Sequence, residues 1–279
     1  MRRLALGLAC VVCLGVVVGC ASTTAEQEVA QQMLSRERTS KSGLTYWMCE
    51  PPAGTRDPAL VVVVMPTHDL AAVMRQIDAW QPAAARHGAI VLFPRLHCLD
   101  RRAWQPDERF EILLAEEPRL EGLAAQTAAV HQVAPRRQAI VGLGRGGYAS
   151  LLIGLRQPDR YLAVVATSWG FFEGNFSDWA KGVNPRQSVA VVAPSRPDEP
   201  ATLRHVLAVR WLQNRGFQRV EEWPPVPASL AQTTDDDYSP DQLAAARAGR
   251  AWAFCEEVFA ASQRTAAAVA IRPGGPSRP

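Results

Sequence analysis

Residues 139–148 read Ala139-Ile140-Val141-Gly142-Leu143-Gly144-Arg145-Gly146-Gly147-Tyr148. An apolar strand runs into a glycine-rich turn, and a helix opens directly behind it. Glycine reaches backbone conformations that a Cβ forbids, so this turn can be sharper than an ordinary strand-to-helix connection. The flanking sequence supplies more units of the same kind. Ala59 to Met65 is a continuous apolar run, as expected for a strand buried on both faces of a parallel sheet. Leu70 to His87 reads as a helix and Ala89 to Phe93 as the next strand. Arg119 to Gln132 is the helix before the glycine-rich turn, and Tyr148 to Gln157 the helix after it. Strands follow at Leu162 to Thr167, Ser188 to Ala193 and Phe217 to Trp223, with a helix over Ala201 to Arg215. Ser239 caps a last helix whose first position is Pro240. Repeated βα units of this length predict an α/β fold with a doubly wound, mostly parallel sheet.

The first residues address the chain. Arg2 and Arg3 precede an apolar run from Leu4 to Val18, which ends in Val17-Val18-Gly19-Cys20. That run is shorter than the roughly 20 apolar residues of a membrane-spanning helix, and its basic start marks a secretory signal. The Val-Val-Gly-Cys ending resembles the lipobox of bacterial lipoproteins. The resemblance implies cleavage before Cys20, acylation of Cys20 and anchorage in membrane lipid. Each buried methylene contributes about 0.8 kcal/mol, so two or three acyl chains hold firmly. Ala21 follows the cysteine where Asp would mark retention at the inner membrane. This resembles proteins sent to the outer membrane, facing the periplasm. The expected divisions are a signal peptide over 1–19, a lipidated polar tether over 20–43, a folded domain over 44–263 and a disordered tail over 264–279.

Without its two basic leader residues the chain is close to neutral, which argues against nucleic acid as a partner. Its length suits one α/β domain with a well-buried core. Of six cysteines, Cys10 and Cys13 leave with the signal and Cys20 is the acylated residue. Cys49, Cys98 and Cys255 remain. The expected compartment permits disulfides, and Cys49–Cys98 is the more plausible pair because both follow early strands. No Cys or His pair has ligand spacing, so neither a metal nor another cofactor is expected.

The glycine-rich turn has the context of a G-x-S-x-G nucleophile elbow: strand, sharp turn, helix. The chain resembles α/β-hydrolase-fold proteins, in particular the polyhydroxybutyrate depolymerase and feruloyl esterase-like group, over roughly Tyr46 to Phe259. The segments that match in order are the strand Leu60 to Met65, His87-Gly88-Ala89-Ile90-Val91 leading to Pro94, Pro135-Arg136-Arg137 before the elbow strand, Gly142 to Gly147, and Gln157-Pro158-Asp159-Arg160-Tyr161-Leu162-Ala163. The resemblance places the nucleophile at Gly144, which has no side chain. It places the catalytic acid at Asp198, after the strand Ser188 to Ala193. The catalytic histidine should follow the last strand, where the chain reads Glu222-Trp223-Pro224-Pro225-Val226-Pro227-Ala228-Ser229, and no histidine follows His205. The His-Gly turn that helps bind the oxyanion is replaced by Pro66-Thr67-His68-Asp69. His68, Arg145 and Gly146 are what remains of an oxyanion-like pocket.

Triad members act as a unit, and losing nucleophile or base costs about a million-fold in rate. The expectation is therefore a degenerate, non-catalytic hydrolase domain acting in binding or scaffolding, toward a small ligand or an envelope protein. The alternative is an ester hydrolase with rearranged residues, drawing on Ser150, Ser168 or Ser195 with His68 as base. Gly142 to Gly147 also fits the dinucleotide pattern G-x-G-x-x-G, but no carboxylate ends the next strand, Val165-Ala166-Thr167-Ser168-Trp169. His205 reads as a surface or packing residue of its helix. Trp169, Phe171, Phe172, Phe176 and Trp179 form an aromatic insertion that either covers the pocket or makes a satellite core. Asp235-Asp236-Asp237 reads as a solvated loop before the last helix, with a weak calcium site as the alternative.

Overall fold

Eight strands form one sheet in the order β1-β2-β4-β3-β5-β6-β7-β8 in the computed structural model, which describes residues 37–65, 70–100, 106–167, 176, 182–193, 199–223 and 240–270. The strands are β1 (Arg38–Thr39), β2 (Thr45–Cys49), β3 (Ala59–Val64), β4 (Ala89–Pro94), β5 (Gln138–Gly142), β6 (Ala163–Thr167), β7 (Ser188–Val192) and β8 (Arg219–Trp223). The helices are α1 (Leu70–His87), α2 (His97–Asp100), α3 (Pro106–Val130), α4 (Gly146–Arg156), α5 (Glu199–Asn214) and α6 (Pro240–Ala270). β1 and β2 pair antiparallel, as do β2 and β4; every other pair is parallel. The mostly parallel α/β sheet expected from the sequence is what the chain forms.

The valine-rich strands explain the layering. Side chains alternate across a strand, and both faces of β3 to β7 are covered. Leu60, Val62, Val64, Ile90, Leu92, Ile140, Val164 and Val191 form one core with Leu120 and Leu123 of α3, Leu151 and Leu155 of α4, and Leu212 of α5. The alternate residues Val61, Val63, Val91, Phe93, Val141 and Val165 are buried on the opposite face. There α1 and α6 pack on each other and on the sheet, with Trp80, Trp252 and Phe254 buried. Each such side chain contributes about 1.5–3 kcal/mol on burial, so the two cores together hold the sheet in place.

Three boundaries differ from the sequence expectation. The compact unit starts at Arg38, inside the stretch expected as a tether. β1 pairs with β2, and Ser40 closes the turn between them: its amide bonds Leu44 O, and its hydroxyl accepts from the Leu44 amide. α6 continues to Ala270, past the expected end at 263. Its last turns are rich in alanine, the best helix former. α3 begins at Pro106 rather than near Arg119, running through Pro118. Proline usually ends a helix. Here the adjacent Glu116 and Glu117 tie that turn to its neighbours: Glu116 accepts from the amides of His97 and Cys98 at 2.8 and 3.0 Å, and Glu117 meets Arg156 at 3.2 Å.

Cys49 and Cys98 do not form the expected disulfide. Cys49 lies opposite Val91 in the β2–β4 ladder and bonds Ile77 O of α1. Cys98 belongs to the core on the other face. The sheet itself separates the two thiols, and proximity to early strands in sequence did not reveal on which face each falls.

Candidate functional site

β5 carries the chain to the carboxyl edge of the sheet at its middle, between β3 and β6. Two glycines then let the helix approach. A Cβ on Gly142 would fall on the Ser150 hydroxyl and the Gly146 carbonyl, and within 2.6 Å of Gly147 Cα. A Cβ on Gly146 would strike the Val64 carbonyl of β3. The first and last glycines of the motif are therefore steric requirements of the turn. The apex between them, Gly144, has φ = +51° and is exposed. That is the left-handed region, which costs a residue with a side chain about 1–2 kcal/mol. The strand, sharp turn and helix expected from the sequence are therefore present, with Gly144 at the apex.

Turn hydrogen bonds fix this shape. The Leu143 amide donates to Val64 O at 2.9 Å, the Gly146 amide to Leu143 O at 2.8 Å and the Gly147 amide to Gly144 O at 3.1 Å. The last two limit what the turn can offer a ligand: the Gly146 and Gly147 amides already serve turn carbonyls, so a ligand there competes with those bonds. Arg145 sits at the N-cap of α4 in helical conformation (φ −63°, ψ −24°), with no side-chain capping bond. Its amide is the one that follows the apex.

Other residues singled out by sequence are placed as follows. Ser150 is fully buried and its hydroxyl bonds Gly147 O and Val165 O, at 3.0 and 3.2 Å, which removes it as a nucleophile. It is the lone hydroxyl in the apolar run from Ala149 to Leu155, a signal that marks it as specific to this packing. His205 is buried on α5, with Nε2 2.7 Å from Glu222 Oε1 on β8. β8 is three strands from β5, about 14 Å at ~4.8 Å per strand, so His205 serves the sheet edge rather than the elbow. Sequence reasoning missed this pair because its members lie on different elements. Phe176 is buried edge-on between Tyr148 and Trp211, with centroids 5.9 and 5.7 Å apart. This residue of the aromatic insertion thus belongs to the core. Beside it, Leu152, Leu155, Arg156, Val183 and Trp211 line a cavity of ≈ 10 Å³, room for about one water.

Cys20, His68, Ser168, Trp169, Phe171, Phe172, Trp179, Ser195, Asp198 and Asp235 to Asp237 lie outside the described residues, as does the stretch 224–229 after β8. Among the described residues no group of three His, Cys, Asp or Glu is placed to hold a metal ion, and no helix is long and apolar enough to cross a membrane.

No family model and no curated protein matches the sequence. Solved structures do match in fold. A thermostable esterase superimposes with TM-score 0.55 at 18% identity, covering 79% of this chain and 61% of its own. The chain thus spans about three-fifths of that enzyme's length. Esterase PE8 gives 0.54 at 18% identity over 77% of this chain and 99% of its own. A ferulic acid esterase gives 0.50 at 14% identity over 80% and 97%. Identities this low carry the fold alone. With the strand order, the elbow after β5 and these esterase neighbours, the chain has the α/β-hydrolase fold.

Proposed function

We propose that this is a lipid-anchored protein of the bacterial cell envelope whose α/β-hydrolase-fold domain binds its target without cleaving it. The observation that carries the reading is Gly144 at the apex of an otherwise intact elbow, φ = +51°. The backbone that presents a nucleophile is kept and the nucleophile is absent. The oxyanion hole and binding alone give a residual ~10³-fold acceleration over water, far short of an enzyme. The partner is a small acyl or carboxylate ligand meeting the elbow amides, or an envelope protein. The anchor is acylated Cys20, placing the domain at the outer membrane, facing the periplasm.

Two measurements test the two halves of this reading. Purified protein incubated with short-chain aryl esters and a fluorophosphonate probe is expected to show neither turnover nor covalent labelling; clear labelling would reverse the assignment. Cys20→Ser is expected to leave the protein unprocessed or mislocalised, and normal membrane fractionation with unchanged mass would remove the lipoprotein reading. A second reading, an ester hydrolase with rearranged residues, is favoured by the esterases among the structural neighbours. The labelling experiment decides between them.

A further inference from the structure

The peptide plane between Gly144 and Arg145 sets what the elbow offers a ligand. Its carbonyl oxygen and its amide hydrogen point in opposite directions, because the peptide unit is planar and trans. Whatever holds the Gly144 carbonyl therefore aims the Arg145 amide. The Gly147 amide holds that carbonyl at 3.1 Å. Gly147 is held in turn by Ser150, whose hydroxyl lies 3.0 Å from Gly147 O. The same hydroxyl reaches Val165 O on β6 at 3.2 Å and occupies the space that a side chain on Gly142 would need. One buried oxygen thus touches the end of β5, the middle of β6 and the first turn of α4. Glycine at the apex makes such a restraint more consequential, since without a Cβ at 144 the plane at 144–145 is freer than it would be beside a residue with a side chain.

We propose that Ser150 is the positioning residue of the elbow, holding Gly147 and through it the direction of the Arg145 amide. This rests on the reading of the elbow as a binding surface, and the test separates the two. In full-length Ser150→Ala, the amide resonances of Gly144 to Gly147 should shift. Their hydrogen exchange should accelerate about tenfold, the loss expected for one net hydrogen bond. Resonances of Leu152 to Leu155, further along the same helix, should stay in place. A lowered melting temperature with unmoved Gly144 to Gly147 signals would overturn the proposal, because a purely structural serine gives that result. If Ser150→Ala fails to fold, Ser150→Cys retains a donor at this position, weaker and somewhat bulkier, and should show the same pattern; unmoved signals there overturn the proposal equally. Acetate, butyrate and inorganic phosphate are titrated into wild type separately. Failure of all three to shift the elbow amides at millimolar concentration counts against the elbow as a ligand site, while the exchange measurement still decides the role of Ser150. Binding with equal affinity in wild type and Ser150→Ala would refute the positioning role alone.

Discussion

The elbow at the middle of the sheet and the β8 edge beside α6 are built by opposite means. At the elbow, backbone meets backbone: Gly142 and Gly146 admit α4 against β5 and β3, and main-chain bonds close the turn. At the β8 edge, side chains meet side chains. Arg219 bonds Glu221 and Glu257 and lies 4.9 Å over Phe254, while Arg250 lies 4.5 Å over Trp223. The Trp223 indole donates to Glu221 at 3.0 Å. Charge along this outer strand also discourages edge-to-edge pairing with another sheet. A backbone-built turn tolerates no side chain at Gly142 or Gly146 but leaves side-chain identity at its apex open. A side-chain-built edge tolerates single losses because each bond is partly exposed and small. This difference is why the elbow can carry glycine at its apex and keep its shape.

The sharpest way to break the comparison is at Gly146. In Gly146→Ala the new methyl meets the Val64 backbone, which cannot yield without moving β3. A cost of about 3 kcal/mol or more is expected, at the upper end of overpacking, read as a loss of soluble protein or a large drop in melting temperature. A near-neutral result would show that the turn is looser than its geometry. Gly144→Ser should cost less, about 1–2 kcal/mol for the left-handed apex. It should restore no esterase activity, because a serine without an adjacent base is a poor nucleophile. Substantial turnover would reveal a base, with His68 the first suspect. Arg219→Ala should cost about 1 kcal/mol or less, as exposed ion pairs and cation–π contacts do. The loss should shrink in high salt.

The same contrast explains what the sequence disclosed. Backbone requirements are written locally: the spacing of Gly142, Gly144 and Gly146 is readable in the sequence, and the apolar run of β3 announces a strand buried on both faces. Side-chain partnerships are written nonlocally. Nothing near His205 points to Glu222, and nothing near Cys49 tells on which face of the sheet Cys98 falls. Pro118 hid the first half of α3, because the compensation for a proline inside a helix comes from Arg156, His97 and Cys98 on other elements.

The smallest effect sharpens the comparison by its sign. Glu117 and Glu221 are both carboxylates drawn from water, yet their protons respond in opposite directions. Burial pushes the Glu117 carboxyl above its ordinary value of 4.5, more than the Gln157 hydrogen bond and the Arg156 charge lower it. At Glu221 burial also pushes upward, but the Trp223 indole and the Arg219 guanidinium outweigh it and hold the carboxyl below the ordinary value. A raised folded-state pKa means that the folded protein holds the proton more tightly than the unfolded chain. Glu117 therefore favours folding most below the ordinary value, and that contribution is lost as pH rises from there through the raised one. A lowered folded-state pKa acts in reverse: the contribution of Glu221 is present above the ordinary value and is lost as pH falls through the depressed one. Chemical denaturation of Glu117→Gln and Glu221→Gln across the acid range separates the two. Glu117→Gln should flatten the stability profile above the ordinary glutamate value, and Glu221→Gln should flatten it below. If both variants change the profile on the same side, the α3–α4 contact and the β8 edge share one electrostatic logic, and the contrast between buried and edge-built regions does not extend to charge.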